Sequence, residues 1–163
     1  MNKHYIFVLG KDIELSRAEL QGRCDEVFID KQKSLLLATN LLFENPRDIP
    51  RKPEQLFLDQ LGGTIRFAEV LDEYRSKSAL LKAMKDHIQE EKPEGKVQLG
   101  VSGFGVHKKT VQEWIASVKG SLKRDHGRNV RVVNPFGEAL SSGKLFGEKL
   151  LQKGFEFISI ERI

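Results

Sequence analysis

The sequence predicts a mixed α/β protein in two parts, a β-α-β-β-α-β unit followed by an α-β-α-β-α-β unit. Two observations carry that expectation. Short apolar runs with strand character alternate with stripes of 3.6-residue period, and Gly or Pro punctuates the joints between them. The total length of 163 residues leaves room for one ordinary domain or two small ones.

Tyr5 to Leu9 is an apolar run that reads as a buried strand, closed by Gly10. Ser16-Arg17-Ala18-Glu19 matches the S-x-x-E capping box, so a short helix is expected to begin at Ser16 and stop by Gly22. Val27-Phe28-Ile29 and Leu35 to Ala38 flank the polar stretch Asp30 to Ser34, which predicts a hairpin with a turn that contains no glycine. A loop with Pro46 and Pro50 follows. Pro53-Glu54 is expected to open a helix through Phe57 and Leu61, stopped by Gly62-Gly63. Ile65 to Val70 then predicts another strand. This order is the ferredoxin-like arrangement, which puts a first domain at 1–75.

Tyr74 to Lys77 is the expected boundary, and 76–163 the second domain. Leu80, Leu81, Met84 and Ile88 share one helical face. Val97, Leu99 and Val101 alternate as a strand, with Gly103 to Gly105 ending it. Val111, Trp114, Ile115, Val118 and Leu122 make a 3.6-period stripe on a long helix, so Trp114 is expected in the core. Val130 and Val132 alternate with Arg131 in a short strand. Ser141-Ser142 is expected to start a further helix, and Phe155 to Ile160 a final buried strand. Helices between successive strands imply a largely parallel sheet.

Composition narrows the function classes. No apolar run reaches the roughly 20 residues of a membrane helix, and the run at Tyr5 to Leu9 is too short for a secretory signal. A cytoplasmic protein is expected, with no membrane partner. The single Cys24 cannot form an internal disulfide, and His4, His87, His107 and His126 lack metal-ligand spacing. Cys24 has no base nearby in sequence and reads as an ordinary thiol. Charge is uneven. Residues 1–95 hold 15 Lys and Arg against 17 Asp and Glu, whereas residues 96–163 hold 12 against 6. A basic half beside a slightly acidic half suggests a face for a polyanion, although solvated lysines would give the same count.

Three motifs could carry chemistry. Gly100-Val101-Ser102-Gly103-Phe104-Gly105 follows a strand and precedes a helix, where a nucleotide or S-adenosylmethionine loop would sit. Asn134-Pro135-Phe136 resembles the Asn-Pro-Pro-Tyr signature of amino-group methyltransferases without its second proline. No acidic residue closes the neighbouring strands to hold a ribose, so these glycines are expected to turn the chain. Leu140-Ser141-Ser142-Gly143-Lys144 sets hydroxyls, helix-terminal amides and a cation together, a combination that suits a phosphate. Lys108 and Lys109 open the long helix, where its dipole disfavours cations unless an anion is near. Arg128 and Arg131 flank the start of the short strand. The expected binding residues are therefore Lys108, Lys109, Arg128, Arg131, Ser141, Ser142 and Lys144 on one face, with Lys108, Lys109 and Ser141 to Lys144 after strand carboxyl ends, Arg131 projecting from the short strand and Arg128 at its opposite end.

Four stretches in order also carry a family resemblance. They are Tyr5 to Gly10 with Glu14 to Leu20, Gly62 to Glu69, Leu99 to Ser102, and Leu140 to Ser142 with Lys153 to Glu156. Together they resemble the N-terminal region of tRNA guanine-N2-methyltransferases of the archaeal and eukaryotic position-10 type. The resemblance implies a ferredoxin-like domain, then a THUMP domain that binds tRNA, notably its acceptor end, through Ser141, Ser142, Arg131 and neighbouring lysines. Lys144 stands where that family often has Gln. It also implies an S-adenosylmethionine-dependent methyltransferase domain beyond Ile163, so the chain is expected to be a fragment of a longer enzyme or a separate binding module, without a catalytic residue or cofactor of its own. The competing expectations are a small nucleotide- or S-adenosylmethionine-binding enzyme using Gly100 to Gly105, and a protein-interaction adaptor.

Overall fold

The computed structural model describes residues 3–42, 60–92, 95–141 and 150–161, which form two sheets in a mixed α/β chain. It divides into two compact units, Met1–Asp72 and Glu73–Ile163.

The first unit is built on β1 (His4–Leu9), whose five apolar residues are all buried. β1 lies inside a four-stranded antiparallel sheet of order β2-β3-β1-β4, with β2 at Asp25–Asp30, β3 at Leu35–Thr39 and β4 at Thr64–Glu69. Since β3 is antiparallel to both β1 and β2, those two strands run the same way with β3 between them. Phe7 pairs with Leu36 on one side and Phe67 on the other, and the two phenylalanine rings stack at 5.4 Å. Tyr5, Phe7, Leu9, Leu20, Leu36, Ala38 and Leu61 make the core of this unit. The hairpin turn has no glycine, as expected. Asp30 Oδ1 accepts from the amides of Gln32 (3.0 Å) and Lys33 (3.1 Å), and Ser34 takes the left-handed position at φ 54°.

The helix α1 (Ile13–Leu20) corrects the expected start at Ser16. Its N-cap is Asp12, whose Oδ1 accepts from the Leu15 amide at 2.9 Å. The Ser-x-x-Glu pair has another use. Ser16 is fully buried, and its Oγ lies 2.7 Å from both the Asp12 and the Gly63 carbonyl oxygens. Glu19 accepts from the amides of Gly62 (3.2 Å) and Gly63 (2.7 Å). The helix thus grips the turn that launches β4, and the Gly10 amide adds a bond to the Gly63 carbonyl at 2.7 Å. β4 begins one residue earlier than expected. The helix expected from Pro53 falls largely outside the described residues.

In the second unit α2 (Lys77–Glu91) is capped by Ser76 and turns Met84 and Ile88 inward. Three parallel strands follow in the order β6-β5-β7: β5 at Val97–Phe104, β6 at Val130–Val132 and β7 at Gly154–Ile160. The long helix α3 (Lys108–His126) connects β5 to β6 and ends at Gly127. Its stripe of Val111, Trp114, Ile115, Val118 and Leu122 is buried with Val97, Leu99, Val101, Met84 and Ile88. Residues Leu150–Lys153 form a short helical segment, α4, that leads into β7. The helix expected to start at Ser141-Ser142 falls outside the described residues from position 142 onward.

The grip of α1 on the Gly62-Gly63 turn is testable. Glu19→Ala leaves two backbone amides without their protein acceptor, one of them partly buried, and should lower unfolding stability by about 1–2 kcal/mol. A urea titration with an unchanged m-value checks it.

Candidate functional site

Alternation divides the residues of β5 between two faces. Val97, Leu99 and Val101 enter the core against the helices. Gln98, Gly100 and Ser102 lie on the other face, where Leu140 and Leu150 close over Gly100 so tightly that an added Cβ would overlap the Leu140 side chain. The sequence expectation of a glycine-rich loop is corrected here: Gly100 to Phe104 is strand, and Gly100 provides room for two leucines.

β6 is short, and its departure from the sheet is managed by Asn134. The Val133 amide still donates to the Leu99 carbonyl at 2.9 Å. One residue later the Asn134 side chain takes over. Its Oδ1 accepts from the Val101 amide (3.1 Å), while Nδ2 donates to the carbonyls of Val101 (2.6 Å) and Glu138 (2.8 Å). Asn134 is fully buried, and both amide hydrogens are engaged. Its likeness to the catalytic Asn of amino-group methyltransferases therefore has a different basis: this amide substitutes for backbone in the strand ladder.

Past Asn134 the chain turns sharply, and the Gly137 amide donates to the Asn134 carbonyl at 3.0 Å. Gly137 has φ 69°, and an added Cβ would overlap the Lys108 carbonyl oxygen. The turn is therefore seated against the first turn of α3. Asn, Pro and Gly at the first, second and fourth places suit a tight turn, and the third place holds Phe136, 73% exposed. Farther on, the Leu140 amide donates to Ser102 Oγ (3.1 Å), which itself donates to Glu156 Oε1 at 2.6 Å.

The cations fall into separate groups. Lys108 and Lys109 are exposed at the N-terminus of α3, where His107 Nδ1 accepts from the Lys109 amide at 3.3 Å. Lys77 donates to Glu113 at 3.0 Å and, with a further contribution from the charge of Lys109, holds the Glu113 carboxyl below its ordinary range. Ser141 is exposed next to the anchored Leu140. Arg131 is exposed too, but register sets it beside Gln98. At about 3.3 Å per residue, that is some 20 Å before Phe104 at the end of β5. The structure therefore gathers Lys108 and Lys109 at the carboxyl edge and leaves Arg131 toward the opposite edge.

Arg128 corrects the expectation of a surface cation. It is 5% exposed and donates to the carbonyls of Gly95 and Ile88 and to Gln89 Oε1. It ties the end of α2 to the entry of β5, because last-turn carbonyls need donors. Ser142 and Lys144 lie outside the described residues. Sequence reasoning missed Phe136 as an exposed group. The signal was present in Asn134-Pro135-Phe136-Gly137, a turn sequence, because turns run over the protein surface.

Comparison of the chain with protein-family models, curated proteins and solved structures returns no match. Among the described residues, no group of three or more His, Cys, Asp and Glu could hold a metal, and no helix is long and apolar enough to cross a membrane. Cys24 is not an activated nucleophile. Burial, with the charges of Asp25 and Glu26, pushes its thiol up to about 11, and Sγ points to the Leu20 carbonyl at 3.6 Å.

Two measurements check these assignments. Asn134→Ala orphans buried backbone groups of Val101 and should cost roughly 3 kcal/mol of stability, read from chemical denaturation. At pH 8, iodoacetamide should alkylate native Cys24 about a hundredfold more slowly than urea-unfolded Cys24. The raised value also fixes the sign of its linkage to stability. The folded state holds the thiol proton longer, so this contribution is intact below about pH 9 and fades as pH rises toward 11.

Proposed function

We propose that this chain is a tRNA-binding module, a ferredoxin-like unit followed by a THUMP-type unit, that positions tRNA for an S-adenosylmethionine-dependent methyltransferase domain outside the sequence. The observation that carries the reading is the carboxyl edge of the second sheet. There a rigid turn is seated against the opening of α3, beside two exposed lysines that the helix dipole disfavours. A phosphate backbone offsets that cost, and ligands of parallel α/β units gather at this edge.

The architecture gives secondary support. The order β2-β3-β1-β4 with antiparallel neighbours suits a ferredoxin-like unit, and a helix leading into three parallel strands suits a THUMP-type unit. The basic balance of residues 96–163 points the same way. In this role the chain contributes positioning: it holds the RNA by phosphate contacts and presents a distant guanosine, while the methyl transfer belongs to the other domain. The reading includes a cytoplasmic location.

A salt titration of tRNA binding tests it. Each single-strand phosphate that a variant no longer neutralises lowers the slope of log affinity against log salt by about 0.7, so Lys108→Ala with Lys109→Ala should lower it by roughly 1.4. Arg131→Ala should leave the slope unchanged. An unchanged slope in the folded double variant moves the site elsewhere. Absence of any RNA binding at low salt removes the reading, and specific calorimetric binding of S-adenosylmethionine by this chain supports a cofactor-binding enzyme instead.

A further inference from the structure

Among the described residues, Phe136 stands out from the other exposed large apolar side chains. Leu15, Val27, Phe28, Leu42, Ile65 and Leu71 all belong to the first unit, whereas Phe136 is in the second and is the most exposed of the set. It is also rigidly presented. Pro135 fixes the backbone before it, and Gly137 after it is pressed on the Lys108 carbonyl. The Asn134 amide anchors the turn through three hydrogen bonds. A loop free to rearrange could fold such a ring onto the protein, but this one holds it in water. The turn places Phe136 one residue in sequence from the backbone contact of Gly137 to Lys108, with Lys109 next in the chain.

An aromatic face beside cations is how proteins hold single-stranded nucleic acid, with a base on the ring and phosphates on the charges. A purely apolar partner would gain nothing from the lysines, and a phosphate-only site nothing from the ring. We infer that Phe136 is a stacking platform for an unpaired RNA base, with Lys108 and Lys109 holding the adjoining phosphates. This inference rests on the proposed RNA-binding role and adds to it the preference for unpaired nucleotides. Pre-organisation of the turn means that little conformational freedom is lost when a base docks.

Fluorescence anisotropy of the full chain with a labelled single-stranded RNA decamer, and with a blunt duplex of equal length, tests the inference. Phe136→Ala should weaken single-strand binding between about fivefold and a hundredfold, the range for removing one base–aromatic stack. Duplex affinity and the salt slope should stay unchanged. Phe136→Trp should restore single-strand binding, and Phe136→Leu, which is apolar without a π-face, should not. Wild-type binding that Phe136→Ala leaves intact overturns the stacking role alone. Equal losses on single strand and duplex also overturn it. A wild-type chain that binds neither RNA overturns the stacking role together with the function on which it rests. The exposed position keeps the fold out of question, and circular dichroism of each variant verifies it.

Discussion

The side-chain amide of Asn134 pairs with both the N–H and the C=O of Val101 where the backbone of β6 has left the sheet. A strand can end only if the hydrogen bonds it was making are met by something else, since buried peptide groups of its neighbour are costly to orphan. By imitating a strand residue with its side chain, Asn134 lets the main chain peel away while the central strand β5 stays satisfied. Its third bond, to the Glu138 carbonyl, closes the departing segment on itself. The turn at Gly137, the closure of Leu140 over Gly100 and the link from Leu140 to Ser102 and Glu156 all lie downstream of that exchange.

The two faces of β5 divide the labour of the second unit. One face is bulky and belongs to the core against α2 and α3. The other is small, with Gly100 and Ser102, and so admits Leu140 and Leu150 close to the backbone. Close approach brings the post-β6 segment to the carboxyl edge and from there to the opening of α3. The lysines at that opening acquire a neighbour that their sequence positions do not suggest. The proposed RNA site is thus a by-product of how the small face is covered: the same segment that fills the groove also carries the turn and its phenylalanine.

Polar side chains do similar work in the first unit. Ser16 and Glu19 reach from α1 to the Gly62-Gly63 turn, and Asp12 caps the helix in their place. Arg128 does so in the second, where it joins the end of α2 to the entry of β5. In each case a residue type associated with sites or caps is committed to carbonyls and amides of a remote chain segment. Burial decides the difference. A buried polar group is costly to leave unpaired, and Ser16 and Arg128 find much of their pairing in backbone carbonyls.

Local chemistry alone determined most of the elements. The apolar run at Tyr5 to Leu9, the turn chemistry of Asp30 to Ser34 and the stripe from Val111 to Leu122 depend on side-chain period and on hydrogen bonds within a few residues. The parallel arrangement of β5, β6 and β7 accompanies their helical spacing. What only the tertiary structure decided is where polar residues are directed. Ser16 looked like a cap because spacing cannot register that Gly63 approaches it from 47 positions away. Gly100 to Gly105 is expected from sequence to turn the chain, whereas β5 continues through Gly103 to Phe104, and the small residue at Gly100 makes sense once Leu140 and Leu150 are seen to occupy the space. Arg128 and Arg131, three residues apart, differ in burial because one is enclosed by the end of α2 and the other stands at the surface. Sequence records which groups can bond; the long-range approach of segments determines which of them are left at the surface for a ligand.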